Sequence, residues 1–411
     1  MILPSLKASS FDRAPHWLPL TSPLNALQSE HEREGKIALY DAHNLDHCPW
    51  PLTPDGQHAQ KMLTPLIQQG VSHYIENVQT DLRALVFEEL VFPITINNAE
   101  YDNAYVCSPY SYFISYARES LDVVSQPWLS PIMDRVLVLL GGILRYFDIN
   151  KVIVINNWLY STNLYPRLQP RQLTRVVRFL QGSFPDHALV FRSIDPYTSP
   201  ICYALLEQMG FKSIATRQIF FIDPHDSTLF QSRLFKSDLK LLENSGYEIL
   251  NGEEVAEAEI PRLLKLYRNL YIDKYSDFNP KFNCDFIRLT LREKLLNIKV
   301  LKKNGSIDGV VGYVQRNGKM YCPLFGYDRL MPKEAALYRL LCTVLMLEAY
   351  EHRLLFHQSA GASTFKKIRK AHSCIEHMAV YDGHMKISRR IPWTILKGLY
   401  NSIGVKYMER Y

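Results

Sequence analysis

Hydrophobic positions along this chain fall into short runs that switch between two periods. KVIVINNWLY (residues 151–160) is a continuous apolar run closed by polar residues, the pattern of a strand covered on both faces. A loop follows, then a helical period from about residue 170, then a second strand, ALVFRSI (188–194). SPICYALLEQMGF (199–211) predicts a short amphipathic helix and SIATRQIFFID (213–223) a closing strand. The same order returns later: a strand at KMYCPLFGYD (319–328), a helix over 333–353, a strand at LLFHQSAG (354–361), a short helix over 362–373 and a strand at 374–383. Two copies of strand–helix–strand–helix–strand predict an α/β protein with mixed sheets, built from two related units in one chain.

The remaining pattern fits around this frame. Strands are expected at 36–40, 72–79, 82–87 and 90–97, with helices at 58–69 and 131–147. Residues 226–244 read as a connecting helix. After it come a strand at 247–250 and a helix over 257–274 with Ile260, Leu263, Leu264, Tyr267, Leu270 and Tyr271 on one face. A second helix spans 284–293. Asn304-Gly305 and Asn317-Gly318 are hairpin signals joining strands at 298–301, 308–314 and 319–328. The expected units are therefore 1–225, with an arm over 1–35, a connector at 226–245, and 246–411. Residues 97–117 crowd Asn, Glu, Asp and Tyr between apolar segments. Such groups need partners, so they either bond one another or line a pocket.

Composition narrows the class. The 411 residues are 47% hydrophobic and 21% charged, as in a soluble globular protein. Net charge of +6 suits an anionic ligand but falls short of a nucleic-acid footprint. Seven cysteines with no CxxC pair argue against a disulfide framework or structural zinc, so a reducing, cytoplasmic setting is expected. The start of the chain lacks a signal-peptide pattern, and VLVLLGGI (136–143) is too short to span a bilayer. Tyrosine is abundant, at 25 residues, and suits grooves because each ring pairs an apolar body with a polar tip.

Helix–helix, β-meander, strand, long helix, then strand–helix–strand is similar to the order of the GNAT acyltransferase fold over 247–385, and more faintly over 36–223. LLEQMGFKSIATRQIFFID (205–223) resembles that family's closing helix, Gly-Phe turn and strand. HQSAGASTFKKIRKAHSCIEHMAVYD (357–382), in a tandem of two such units, resembles the FemAB-like branch. The resemblance implies two fused GNAT-like domains, the second catalytic. It also implies transfer of an acyl or aminoacyl group from a thioester or ester carrier to an amine or hydroxyl. Acyl-coenzyme A is the first donor implied, and aminoacyl-tRNA is an alternative. One departure bears on the donor: neither FGYDRLMPKEAALYR (325–339) nor NWLYSTNLYPRLQPRQL (157–173) carries the glycine pair that holds the coenzyme A diphosphate in GNAT enzymes.

His357 closes a predicted central strand, where open α/β sheets take ligands, and is the expected general base. The small residues after it, Ser359 and Gly361, would let a carrier approach. Lys366, Lys367 and Arg369 on the next helix would hold its phosphates. Tyr327 or Tyr338 would position the substrate or protonate the leaving group, with Asp328, Arg339 and Glu376 as substrate contacts, Glu376 also as a partner for His357. No metal site is expected. Each assignment has a structural counterpart: a histidine bonded at a strand end, a solvated basic helix, a paired glutamate. The alternative function is therefore a GNAT-fold protein that binds a small metabolite or a protein partner without turnover.

Overall fold

The computed structural model describes residues 35–119, 121 and 130–408, so the expected arm lies outside the described residues apart from Gly35. Among them, the first half carries β1 (Ile37–Tyr40), β2 (Asp81–Phe87), β3 (Leu90–Asn97), β4 (Val152–Ile155), β5 (Ala188–Ile194) and β6 (Lys212–Ile222). The second half carries β7 (Glu248–Asn251), β8 (Asn297–Lys303), β9 (Ser306–Arg316), β10 (Lys319–Tyr327), β11 (Leu355–His357) and β12 (His372–Tyr381). All join one sheet in the order β1-β2-β3-β4-β5-β12-β6-β11-β10-β9-β8-β7. The class is mixed α/β, and both halves carry strand–helix–strand–helix–strand in the expected order.

That order has near-mirror symmetry. β1 to β5 run inward from one end and β7 to β11 from the other. The closing strands are exchanged: β12 pairs antiparallel with β5, β6 pairs antiparallel with β11, and β6 and β12 pair with each other at the centre. Among the described residues, parallel pairing is confined to β4–β5 and β10–β11. The expected division near residue 225 follows β6, yet β6 lies between two strands of the second half, and Ile37–Tyr411 is one compact unit.

Burial on both faces explains the unbroken apolar strands. Val152 and Val154 of β4 pack with Phe113, Leu144 and Trp393, whereas Ile153 and Ile155 pack on the other side with Leu173, Val177 and Leu180. The covering helices are α1 (Pro54–Gln69), α2 (Ser130–Tyr146), α3 (Pro170–Ser183), α4 (Pro200–Gln208), α5 (Arg233–Glu243), α6 (Ile260–Leu270), α7 (Cys284–Glu293), α8 (Leu337–Glu351), α9 (Ser363–Lys367) and α10 (Ile387–Leu399). α1 starts earlier than the apolar period suggests, because the Thr53 hydroxyl accepts the Gly56 N–H at 3.1 Å and Pro54 takes the first helical position. The expected connecting helix is broken in two, with Asp226 capping a short turn and Ser232 capping α5.

Residues 72–79 are not a strand, contrary to their alternation. Val71–His73 is a tight turn, and the segment beyond it docks on the second half instead: Ile75 bridges Phe282, and Glu76 N–H donates to Lys281 O at 2.8 Å. The amides of 97–117 bond mainly to nearby backbone and to neighbouring polar side chains. Asn97 and Asn103 donate to Gln79 O, and Asn150 joins Ser108 to the carbonyl of Glu100. Two tyrosines of the same stretch, Tyr105 and Tyr116, instead face a cleft described below. Among the described residues, no helix is long and apolar enough to cross a membrane.

Candidate functional site

β10 and β11 run parallel for three partner pairs only, from Lys319–Leu355 to Tyr321–His357. β10 then continues to Tyr327 with a register shift against β9 after Tyr321. The chain after His357 turns away, with Ser359, Gly361 and Ala362 at φ of 58°, 77° and 48°. The strands splay, and the wedge between their carboxyl ends is a cleft of about 220 Å³. Open α/β sheets bind ligands at such ends. One wall is the turn after α6, which presents Tyr271 and Tyr275; α8 presents Tyr338 and Cys342, and β10 presents Tyr321, Cys322 and Phe325. The first half contributes Tyr105, Tyr116, Ser161 and Arg217. α6 can lie this close because β10 has Gly326 beneath it: a Cβ there would sit 2.5 Å from the Leu266 carbonyl carbon.

The floor is ionic. Arg217 of β6 stands directly opposite Glu376 of β12, a pairing made by the strand exchange. Its Nε donates to Glu376 Oε2 at 2.7 Å and Nη2 to Oε1 at 3.1 Å. Nη2 also donates to Ser161 O at 2.9 Å and to the Thr162 hydroxyl at 2.8 Å. Glu376 is buried and Arg217 is partly exposed to the cleft, so the pair largely cancels its own charge at the wall. Among the described residues, the cleft lining contains no carboxylate. Tyrosine hydroxyls dominate it, and burial raises the pKa of Tyr116, Tyr271 and Tyr338, and of Tyr321 beside Ser161. These phenols stay protonated at neutral pH and offer donors.

His357 is 4% exposed and lines this cleft, as its position at a strand end predicts. The Ser359 N–H donates to its Nδ1 at 3.0 Å, which assigns the proton of the neutral ring to Nε2. Nε2 lies 3.9 Å from Glu376 Oε1, so the expected partnership with Glu376 is present as a second contact behind Arg217. Burial, then the charges of Arg217 and Lys366, hold the imidazole pKa well below 6.5. The ring is neutral and its one basic lone pair is occupied. In this geometry His357 is a positioned donor, and the general-base expectation is corrected on that ground.

The basic helix is corrected too. Lys366 is 4% exposed, and its Nζ donates to the carbonyls of Gln358, Ser359 and Ala360 at 2.7, 3.1 and 2.9 Å. Burial lowers its pKa to about 7, while the three acceptors favour the ammonium form. Arg369 is buried against Asp238, with Nε on Oδ2 at 2.9 Å and Nη2 on Oδ1 at 3.1 Å. These two cations hold the loop and α9 in place, which leaves Lys367 as the exposed one of the three. Arg339 also pairs with Asp238, and Asp328 pairs with Arg262 at 2.8 Å; neither lines the cleft, so their substrate-contact assignment is corrected. Tyr338 lines the cleft, as do Ser359 and Gly361. Tyr327 sits behind Tyr338, with ring centroids 6.2 Å apart.

Arg217, Tyr105, Tyr116 and Tyr321 were missed from sequence. A charged residue inside SIATRQIFFID was a usable signal, since such a charge demands a partner; the tyrosines carried none. The matching place in the first half is filled. There the Arg192 guanidinium bonds Asn157 Oδ1 and the carbonyls of Val106, Tyr160 and Ser161, and closes the gap beyond β4.

No protein-family model matches the sequence, and no curated protein matches it. Among solved structures the chain is similar to L-PGS from Bacillus licheniformis, at 15% identity over 56% of this chain and 78% of that one, with a TM-score of 0.42. FemX is similar at 8% identity over 56% and 80%, with a TM-score of 0.43. A GCN5-related N-acetyltransferase from Kribbella flavida is similar at 10% identity over 84% and 71%, with a TM-score of 0.32. Likenesses this loose assign neither a family nor a ligand to this chain, and its fold is read from the strand order itself.

Proposed function

We propose that this protein is an acyltransferase of GNAT-like type that works in the cleft between β10 and β11. The acceptor amine or hydroxyl attacks the acyl or aminoacyl carbonyl directly. A new C–N or C–O bond forms, the carrier's thioester or ester bond breaks, and the carrier leaves as a thiol or alcohol after taking up the acceptor's proton. The observation that carries this reading is the wedge at the strand ends, lined by neutral hydroxyl donors. Such donors stabilise the oxyanion of the tetrahedral intermediate and protonate the leaving group. Tyr338 and Tyr321 are the donors proposed for these roles, with Ser359 and Gly361 beside the carrier. The acceptor enters uncharged in this reading, because His357 Nδ1 and Lys366 Nζ, the basic atoms of the described lining, both have internal partners.

Acyl-coenzyme A remains the first donor proposed, with aminoacyl-tRNA the alternative. The fit to a diphosphate is incomplete: of the cations expected to hold it, Lys366 and Arg369 have internal partners and Lys367 is exposed. A second reading, a binding protein of the same fold without turnover, is favoured by the occupied Nδ1 of His357.

The deciding experiment is calorimetric titration with acetyl-coenzyme A and octanoyl-coenzyme A, followed by mass spectrometry for transfer to an amine panel. Binding that weakens in Lys367→Glu, with transfer that falls at least tenfold in Tyr338→Phe, supports the transferase. Binding without transfer favours the second reading. No binding sinks the coenzyme A donor and moves the test to aminoacyl-tRNA.

A further inference from the structure

A second cavity, of about 290 Å³, lies between the start of α1, the loop after β4 and the end of β9. Arg316, which is 8% exposed, lines it. Nε donates to Asp55 Oδ2 at 2.8 Å, and Nη1 donates to Asn156 Oδ1 and Leu164 O, both at 3.2 Å. A guanidinium has five N–H donors, and these contacts use three. Among the described residues Nη2 has no hydrogen-bond partner, and Arg316 lines the cavity. The guanidinium also lies 5.0 Å from the Trp158 ring centroid, and the Trp158 Nε1–H is held by the same Asn156 oxygen. Arginine is therefore fixed in direction, with one amino group left over.

The surroundings give that group a ligand to meet. Leu164, Leu295, Val314 and Trp158 supply apolar wall. Three non-glycine residues around the cavity hold left-handed backbone: Asn156, Leu159 and Lys294, at φ of 59°, 63° and 55°. For leucine that conformation costs on the order of 1 kcal/mol, and such strain gathers at binding sites. Tyr160 and Thr162 line this cavity, whereas Ser161 between them lines the Tyr cleft, so one strip of chain separates the two.

We propose that this cavity is a second small-molecule site, which binds a carboxylate joined to a compact apolar or aromatic body. The carboxylate accepts from Arg316 Nη2, and the body lies against Leu164, Leu295 and Val314. Asp55, which accepts from Nε and lines the same cavity, keeps Arg316 oriented and repels ligands with a second negative charge. The assignment does not rest on the transferase reading, and the site has its own probes.

The test titrates the full chain with phenylacetate, indole-3-acetate, neutral phenylacetamide and inorganic phosphate, by calorimetry and tryptophan fluorescence. The expected result is binding of both carboxylates at least about tenfold tighter than the amide, a difference of about 1.4 kcal/mol. Arg316→Lys, which keeps the charge and loses Nη2, should weaken the carboxylates about tenfold or more. Because Arg316 is buried, Gln315→Glu provides a second variant: it is exposed, lines the same cavity and should repel the carboxylates without lowering thermal stability. Equal affinity for the amide, or no effect of Gln315→Glu, would overturn the proposal. Phosphate binding as tight as the carboxylates would show an unspecific anion hole and overturn it as well. No heat of binding at about 10 mM would leave a hydrated cavity only.

Discussion

Arg217 and Glu376 are charged residues inside apolar strands, and each is tolerated because the other faces it. Glu376→Gln should therefore destabilise the fold by about 3–5 kcal/mol in urea unfolding, because the buried guanidinium loses its counter-charge. Replacing both residues with Met should recover most of that loss, and a double change as damaging as the single one would show that the pair does not matter. From sequence, a partner was required for each, but which one could not be read. A second prediction concerns His58, whose pKa is lowered from 6.5 to about 4 by burial first and then by Arg316. The unfolded chain binds this proton more readily between pH 6.5 and 4. Stability is thus full above 6.5 and falls as the pH drops toward 4, by at most on the order of 3 kcal/mol from this group. His58→Gln should flatten that part of a melting-temperature profile, and an unchanged slope would remove His58 as its cause.

At the scale of elements, patterns of one strand or helix were legible, and what each buries was not. The apolar run of β4 announced a strand covered on both faces, and both Asn-Gly hairpins fall where expected, with Asn304 and Asn317 at φ of 50°. α9 is the counter-example. Lys366, Lys367 and Arg369 read as a basic helix, but the 358–360 carbonyls and Asp238 of α5 hold Lys366 and Arg369 inward. Local spacing carries no information about which side meets the protein. Lys366→Met should leave three carbonyls of the 358–360 loop without a donor and lower stability by about 2–4 kcal/mol. Because that loop borders the cleft, ligand affinity should fall with it in calorimetry. Gly326→Ala tests the seat of α6 in the same way. Its Cβ meets helix backbone, which has no rotamer to relax, so a loss of about 2–3 kcal/mol and a displaced Tyr271 wall are expected. Wild-type stability would mean that α6 is free to shift.

For the whole molecule, the exchange of β6 and β12 decides most of what matters. Each half lends its closing strand to the neighbourhood of the other, so residues 35–225 and 246–408 produced separately should each show weak near-ultraviolet circular dichroism and rapid proteolysis. Mixing them should restore protection, and a separate half that unfolds cooperatively would show that the exchange is dispensable. The sequence by itself determined the α/β class, the repeated order of elements, the strands hidden on both faces and the position of His357 at a strand end. Each of these follows from the period of apolar residues and from turn chemistry, which act over a few residues. Only the tertiary structure decided that the repeats share one sheet, that Arg217 meets Glu376 across it, that Ser359 occupies the histidine lone pair and that tyrosines from both halves line a single cleft. Those contacts join residues far apart in the chain, and they are set by which strands lie side by side, a choice that alternation within a strand leaves open.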